Sequence, residues 1–164
     1  MSNEFTYAVE TFEAVWPEMR PLWDLHWQEV ALDHGNVKLD PDINGYLSLE
    51  NLGMLHVVCM RRHGQLVGYH ISFVKPHLHY ASTLHSFADV FFVKPEFRVG
   101  FAGIRLLKEV ERTLAQRGVK KMMTGTKLHD SPVTGKSLDM SRIFRRLGWR
   151  ETEHIFTKCI GGSE

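Results

Sequence analysis

The hydrophobic pattern divides the chain into short strand-like runs and helical stretches. Phe5 to Glu10 reads as a first strand. Thr11 follows as a helix cap, and a helical stretch runs to about Asp33, with Pro17 and Pro21 expected to kink it or split it in two. After Pro21, the positions Leu22, Trp23, His26, Trp27 and Val30 form one apolar face. A polar loop from His34 to Asp42 leads to a short helix over Ile43 to Leu52 that stops at Gly53. Met54 to Arg62 and Leu66 to Val74, joined by His63-Gly64-Gln65, read as a hairpin. A connection over Pro76 to Ala81 leads into a strand containing Asp89.

The most informative stretch is 89–107. Val90, Phe91, Phe92 and Val93 are a continuous apolar run, as in a strand covered on both faces. Pro95 ends the ladder because it lacks an N–H. Gly100 and Gly103 precede a helix whose Leu106, Leu107, Val110 and Leu114 recur at helical spacing, and Gly118 ends it. Glu109 and Arg112 can pair on its outer face. A short strand then spans Val119 to about Thr126, a polar loop Lys127 to Gly135, a helix Ser137 to Leu147, and a last strand Arg150 to Ile160. Gly161 to Glu164 is expected to fray.

A strand, a glycine-bearing turn and a helix N-terminus make an anion site, because free amides converge there and the helix dipole adds positive charge. Arg98 stands at its lip, so the expected ligand is a phosphate or pyrophosphate. Neither Gly-x-x-x-x-Gly-Lys-Ser/Thr nor Gly-x-Gly-x-x-Gly followed by an acidic residue after a second strand is present.

The pattern Val93-x-Pro95-Glu96-Phe97-Arg98-x-x-x-x-Gly103-x-x-Leu106-Leu107 resembles the acetyl-CoA-binding motif of GNAT N-acetyltransferases. That motif opens Arg/Gln-x-x-Gly-x-Gly/Ala, and its amides hold the pyrophosphate of CoA. Here the six residues are Arg98, Val99, Gly100, Phe101, Ala102 and Gly103. The last glycine matches; Phe101 replaces the first, with Gly100 one place early. Phenylalanine lacks the backbone freedom of glycine, so the departure bears on how the pyrophosphate lies. The wider chain is similar to GNAT-like proteins encoded by tailed phages and prophages, through Leu25-His26-Trp27, Leu55-His56-Val57-Val58, Leu66-Val67-Gly68-Tyr69, Lys75 to Tyr80 and Lys127-Leu128-His129-Asp130.

The resemblance implies a GNAT fold. This is an α/β (α+β) architecture with a mixed central sheet, splayed fourth and fifth strands and helices on both faces. It also implies that Phe92 and Val93 hydrogen-bond the pantetheine of acetyl-CoA by their backbone, and that Ser137 and Phe144 contact the cofactor. Asp89 lies four residues before Val93, where several GNAT enzymes carry a glutamate base. Strand alternation puts it on one face with Phe87 and Phe91, and such flanking should raise its pKa. It reads equally as an acid that grips a cationic substrate or pairs with a core arginine. Many GNAT enzymes place a tyrosine acid four residues before a Gly-Phe pair. Here the pair is Gly148-Trp149, and the position holds Phe144, which has no proton to donate. His129 with Asp130, just after the fifth strand, is a second catalytic candidate and also an ordinary loop pair.

Composition narrows the partners. The 164 residues suit one domain, 1–164, and 43% apolar with 24% charged residues is ordinary for a globular protein. A net charge of +1 gives no broad grip on nucleic acid or membrane, and no run is long enough to span a bilayer. The N-terminus does not read as a signal peptide. Cys59 and Cys159 read as buried free thiols in a reducing cytoplasm, the host's if the protein is phage-encoded. His77 and His79, with His70 and His85, are read as lining an acceptor pocket or a homodimer contact rather than a metal site. Two function classes stay open. One is an acetyl-CoA-dependent N-acetyltransferase acting on a small-molecule or protein amine, favoured by Asp89, Arg98 and Gly103. The other is a catalytically weak GNAT-fold binding protein, such as a phage factor that engages a host protein, favoured by Phe101 and Phe144.

Overall fold

The computed structural model describes residues 4–160. The tail Gly161–Glu164, expected to fray, lies outside the described residues. The chain divides into two compact units: Met1–Trp23 with Asp42–Gly125, and Asp24–Pro41 with Thr126–Glu164.

The first unit is built on a five-stranded sheet in the order β1-β2-β3-β4-β5. The strands are β1 Phe5–Val9, β2 Leu55–Arg62, β3 Gln65–His77, β4 Tyr80–Val93 and β5 Lys121–Met123. The first four pair antiparallel; β5 joins β4 in parallel. β2 and β3 are joined through His63 (φ 49°) and Gly64 (φ 82°), both left-handed, which matches the twist of a tight hairpin. The expected connection over Pro76 to Ala81 is shorter than the sequence suggests. β3 continues through Pro76, and only Leu78 and His79 turn the chain. Proline breaks a sheet only where its missing N–H is needed by a neighbour.

One face of the sheet carries α3 (Ala102–Gln116), whose Ala102, Leu106, Val110 and Leu114 pack with Phe5, Val58, Met60, Val67, Val74 and Val93. Each fully buried leucine there contributes about 2 kcal/mol. The outer face carries the expected Arg112–Glu109 pair at 2.6 Å. Phe73, one residue from Val74, points to the opposite face and meets Tyr46 of α2 (Ile43–Asn51) at a ring separation of 6.3 Å. Helices thus cover both faces. Asp42 caps α2 by accepting from the Gly45 amide at 2.9 Å.

The helix α1 (Phe12–Val30) is continuous, not broken at its prolines. Pro17 and Pro21 are both exposed, so the carbonyls they leave unpaired, those of Glu13 and Pro17, face water. Its N-terminus is held twice. Thr11 Oγ1 accepts from the Ala14 amide at 3.3 Å, and the Glu50 carboxylate of α2 accepts from the amides of Phe12 (2.5 Å) and Glu13 (3.0 Å).

The second unit contains the end of α1, a loop and the short helix α4 (Ser141–Arg146). Inside it, Ser131 Oγ donates to the buried Glu29 carboxylate at 2.7 Å, and Trp27 packs on His34 at 4.2 Å. The last strand expected over Arg150 to Ile160 is not formed. Residues 150–160 are exposed and join no strand, with Ile155 and Phe156 81% and 92% exposed. An alternating pattern only asks for a face to cover it, whereas a strand also needs a backbone edge to pair with. Cys159, expected to be buried, is exposed; Cys59 is buried, and both are free. Among the described residues no helix is long and apolar enough to cross a membrane.

Candidate active site

The parallel pairing of β4 with β5 covers only His85↔Lys121, Ser86↔Met122 and Phe87↔Met123. The sequence reading carried β5 to about Thr126. It stops at Met123, after three residues paired with β4. From Ala88 to Val93, β4 therefore has β3 on one side and, among the described residues, no strand on the other. That is the splay between the fourth and fifth strands.

Where the splay begins, β4 is bulged. Its register on β3 passes from Ile71↔Val90 to Ser72↔Ala88, leaving Asp89 as the extra residue. The bulge reverses the expected alternation. Phe87 pairs with Phe73 on the α2 face, whereas Phe91 packs into the α3 core, so Asp89 does not share one face with both. Its side chain reaches the α2 face, where the Tyr46 hydroxyl donates to Oδ2 at 2.5 Å. Oδ1 makes no hydrogen bond among the described residues. The carboxylate touches solvent, yet the surrounding protein desolvates it enough to raise its pKa above the usual aspartate range. The Tyr46 hydrogen bond acts in the opposite, lowering direction and is the smaller influence. Desolvation and then Asp89 push the Tyr46 phenol up, so it stays protonated as a donor. Sequence reasoning missed Tyr46. With Ile43 and Leu47 it forms an ordinary apolar face on a short helix, and nothing in the spacing sets it apart.

At the far end of β4, Phe92 and Val93 are buried. A 3₁₀ turn over Pro95–Phe97 leads to Arg98, whose Nε donates to the Val93 carbonyl at 2.7 Å while its guanidinium lies 5.7 Å from the centre of the Phe92 ring. The turn reverses at Gly100, with φ 55°. Phe101 takes φ −107° and ψ 15°, on the negative-φ side that residues with side chains adopt. The displaced glycine thus carries the left-handed step, and Phe101 needs no glycine freedom. Val99 and Phe101 are exposed and Ala102 is buried. Gly103 lies close to β4: a Cβ there would meet Phe91 Cζ at 3.8 Å and Val93 Cγ2 at 4.0 Å. The Ala102 amide donates to the Val99 carbonyl at 3.2 Å and closes the turn, whereas the amides of Gly103 and Ile104 have no backbone acceptor among the described residues. A free strand edge, a left-handed turn and an open helix N-terminus in sequence fit a thioester cofactor with an extended arm and a pyrophosphate.

The remaining sequence-derived candidates lie in the second unit. His129 Nε2 faces the Glu29 carbonyl at 3.4 Å. Asp130 bridges to Ser137, whose Oγ accepts from the Asp139 amide at 3.2 Å. α4 begins at Ser141, not at Ser137 as expected, because Asp139 and Thr126 take the amides of Ser141 and Met140 and fix the chain before the helix. Phe144 is half-buried, its ring 5.3 Å from that of Trp149. In the first unit His77 lies 5.6 Å from His79 and 5.2 Å from His85 between ring centres. No group of three or more His, Cys, Asp or Glu among the described residues could hold a metal ion.

An antiparallel sheet with one parallel edge strand, opened beside a glycine turn and a helix N-terminus, is the architecture of the GNAT fold. Residues 9–134 match the acetyltransferase (GNAT) family, and the chain belongs to that family. No curated protein sequence matches it. Solved structures agree on the fold. An aminoglycoside acetyltransferase from an uncultured soil metagenomic sample superposes with a TM-score of 0.71 at 13% identity, over 98% of this chain and 100% of that one. Ribosomal-protein-alanine N-acetyltransferase from Brucella melitensis biovar Abortus 2308 gives 0.66 at 15%, over 96% and 99%. An aminoglycoside N-acetyltransferase in complex with CoA gives 0.66 at 18%, over 96% and 95%.

Proposed function

We propose that this protein is an N-acetyltransferase, working as one domain over residues 1–164, that moves an acetyl group from acetyl-CoA to a primary amine. The observation that carries the reading is the opened stretch of β4. It sets an elevated-pKa carboxylate, Asp89, at one end of a free strand edge and an anion-binding turn, Arg98 to Gly103, at the other. The amine acceptor is supported by the fold's company. Structures sharing it include acetyltransferases of aminoglycosides and of a ribosomal protein's alanine, and the chemistry common to these is a nucleophilic amine. The free, buried Cys59 is in keeping with a reducing cytoplasm.

In this reading the turn from Arg98 to Gly103 holds the pyrophosphate, through the Arg98 guanidinium and the amides of Gly100, Phe101 and Gly103, with Val99 and Ala102 closing the turn, and the backbone of Phe92 and Val93 lines the arm. Ser137 and Phe144 are assigned to cofactor contact. When bound, acetyl-CoA supplies the electrophilic carbonyl. Asp89 takes the proton of the acceptor's ammonium on Oδ1, leaving a neutral amine able to attack. His129 is the second candidate for moving a proton.

A second reading is a GNAT-fold binding protein of little activity, such as a phage factor acting on a host protein. Phe144, without a hydroxyl at the position of the family's tyrosine, favours it. One experiment separates the two: acetyl-CoA is titrated by calorimetry, then thiol release is followed with a panel of amines. Cofactor binding with amine-dependent thiol release supports the transferase. Binding with no release from polyamines, aminoglycosides, amino acids or peptide N-termini supports the second reading.

A further inference from the structure

We propose that Tyr46 is a positioning residue for the reaction, holding the Asp89 carboxylate by Oδ2 so that Oδ1 is presented to the acceptor's ammonium. The proposal rests on Asp89 being the base.

The geometry begins with the bulge. A residue in a regular strand has its side-chain direction set by the pleat and by its paired neighbour. Asp89 has no partner on β3, since the register steps from Val90 to Ala88 across it. Its direction must be fixed from elsewhere, and the contact that does so is the Tyr46 hydroxyl at 2.5 Å. Tyr46 is itself fixed. Its ring lies nearly parallel to Phe12 of α1, at 4.7 Å and 22°, and to Phe73 of β3, at 6.3 Å and 21°. For packing alone, a phenylalanine ring would serve there as well as tyrosine. The hydroxyl is spent on Asp89.

The bond also has an electrostatic consequence. Desolvation favours the protonated acid, which cannot act as a base. A neutral donor on Oδ2 favours the carboxylate without adding a charge that would repel an incoming ammonium. No charged side chain pairs with Asp89 among the described residues, and Tyr46 is the titratable group that bears on it. During proton transfer the N–H bond of the ammonium breaks, an O–H bond forms at Oδ1, and Tyr46 keeps its own proton.

The test compares wild type, Tyr46→Phe and Asp89→Asn in two measurements. One is the carboxyl titration of Asp89 by carbon NMR, assigned by its loss in Asp89→Asn. The other is the pH dependence of kcat/KM. In Tyr46→Phe the Asp89 signal should titrate at higher pH, the acid limb should move up with it, and kcat should fall about tenfold while acetyl-CoA binding is retained. An Asp89 titration and an acid limb both unmoved by Tyr46→Phe, with the limb lost in Asp89→Asn, would overturn the role of Tyr46 alone. An acid limb that survives Asp89→Asn would remove the base and the proposal together. Should Tyr46→Phe fail to fold, 3,5-difluorotyrosine at position 46 provides the reverse perturbation. A more acidic phenol donates more strongly and should move the Asp89 titration and the limb to lower pH; no movement there overturns the proposal.

Discussion

Arg98 Nε donates to the carbonyl of Val93, 2.7 Å away, folding the cation back onto the strand that precedes it. The same guanidinium lies 5.7 Å from the centre of the Phe92 ring, over the end of β4. One residue therefore ties the end of β4 to the turn that leads into α3.

The first prediction follows from that tie. Acetyl-CoA should raise the melting temperature, because only the folded chain presents the turn; at a hundredfold excess over Kd the stabilisation is about 2.7 kcal/mol. Arg98→Glu should abolish most of the shift by setting a negative charge against the pyrophosphate. Differential scanning fluorimetry with and without cofactor reads this. An undiminished shift in the variant would place the phosphates away from Arg98.

Phe144→Tyr tests the missing acid. The ring is half-buried against Trp149, and the substitution adds a single hydroxyl, so the melting temperature should change little. If proton donation to the leaving thiolate limits turnover, thiol release should rise about a hundredfold. Unchanged turnover, measured by a thiol-reactive dye, would show that the step is not limiting.

Acid should destabilise the fold through buried histidines. Burial, and then Arg117, push the His56 pKa down to about 4; burial, and then His56, push that of His70 to about 3. Both folded values lie below the unfolded value of about 6.5, so on acidification the unfolded chain takes up protons first. Stability from these two groups is complete above pH about 6.5 and is lost as pH falls from there toward about 3 to 4. His70 Nε2 has no hydrogen-bond partner among the described residues. His70→Gln should therefore flatten the slope of urea-unfolding free energy between pH 6.5 and 4. A slope equal to wild type would show that His70 is already charged in the folded state.

Much of the site was legible because its signals are local. The strand over Val90 to Val93, the stop at Pro95, the glycine turn and the face Leu106-Leu107-Val110-Leu114 each follow from residues close in sequence, and so does the Thr11 cap. What was not legible depends on partners far along the chain. The bulge at Asp89 exists only in the register of β4 on β3, so counting by twos from Phe87 to Phe91 gave the wrong face. Tyr46 lies 43 residues from the carboxylate it holds. The early end of β5 and the 150–160 segment, which joins no strand, depend on backbone pairing with distant residues, which an alternating pattern does not record. Gly100 shows the converse. The motif read as displaced, yet the backbone needs one left-handed residue in the turn, and moving it by one place still provides that.

The last prediction concerns Asp89 itself. Asp89→Asn preserves size and can still accept from Tyr46 through its amide oxygen, but it takes up no proton. The anion turn lies several residues further on, so the acetyl-CoA-induced rise in melting temperature should be intact. Turnover should fall about a hundredfold or more, the usual contribution of a general base. The pH dependence supplies the sign. In wild type, activity is lost as pH falls through the raised Asp89 pKa, since the protonated acid accepts nothing. In the variant that limb is gone, and activity instead climbs with the fraction of acceptor already neutral, so the deficit should shrink as pH rises. Steady-state kinetics across pH 5 to 10 (about the span between carboxylate and alkylamine titration) reads both. A raised KM with turnover near wild type at saturation would make Asp89 a grip for a cationic substrate instead. Early melting with lost cofactor binding would make it structural. Full activity at neutral pH would rule out the base and pass the role to His129.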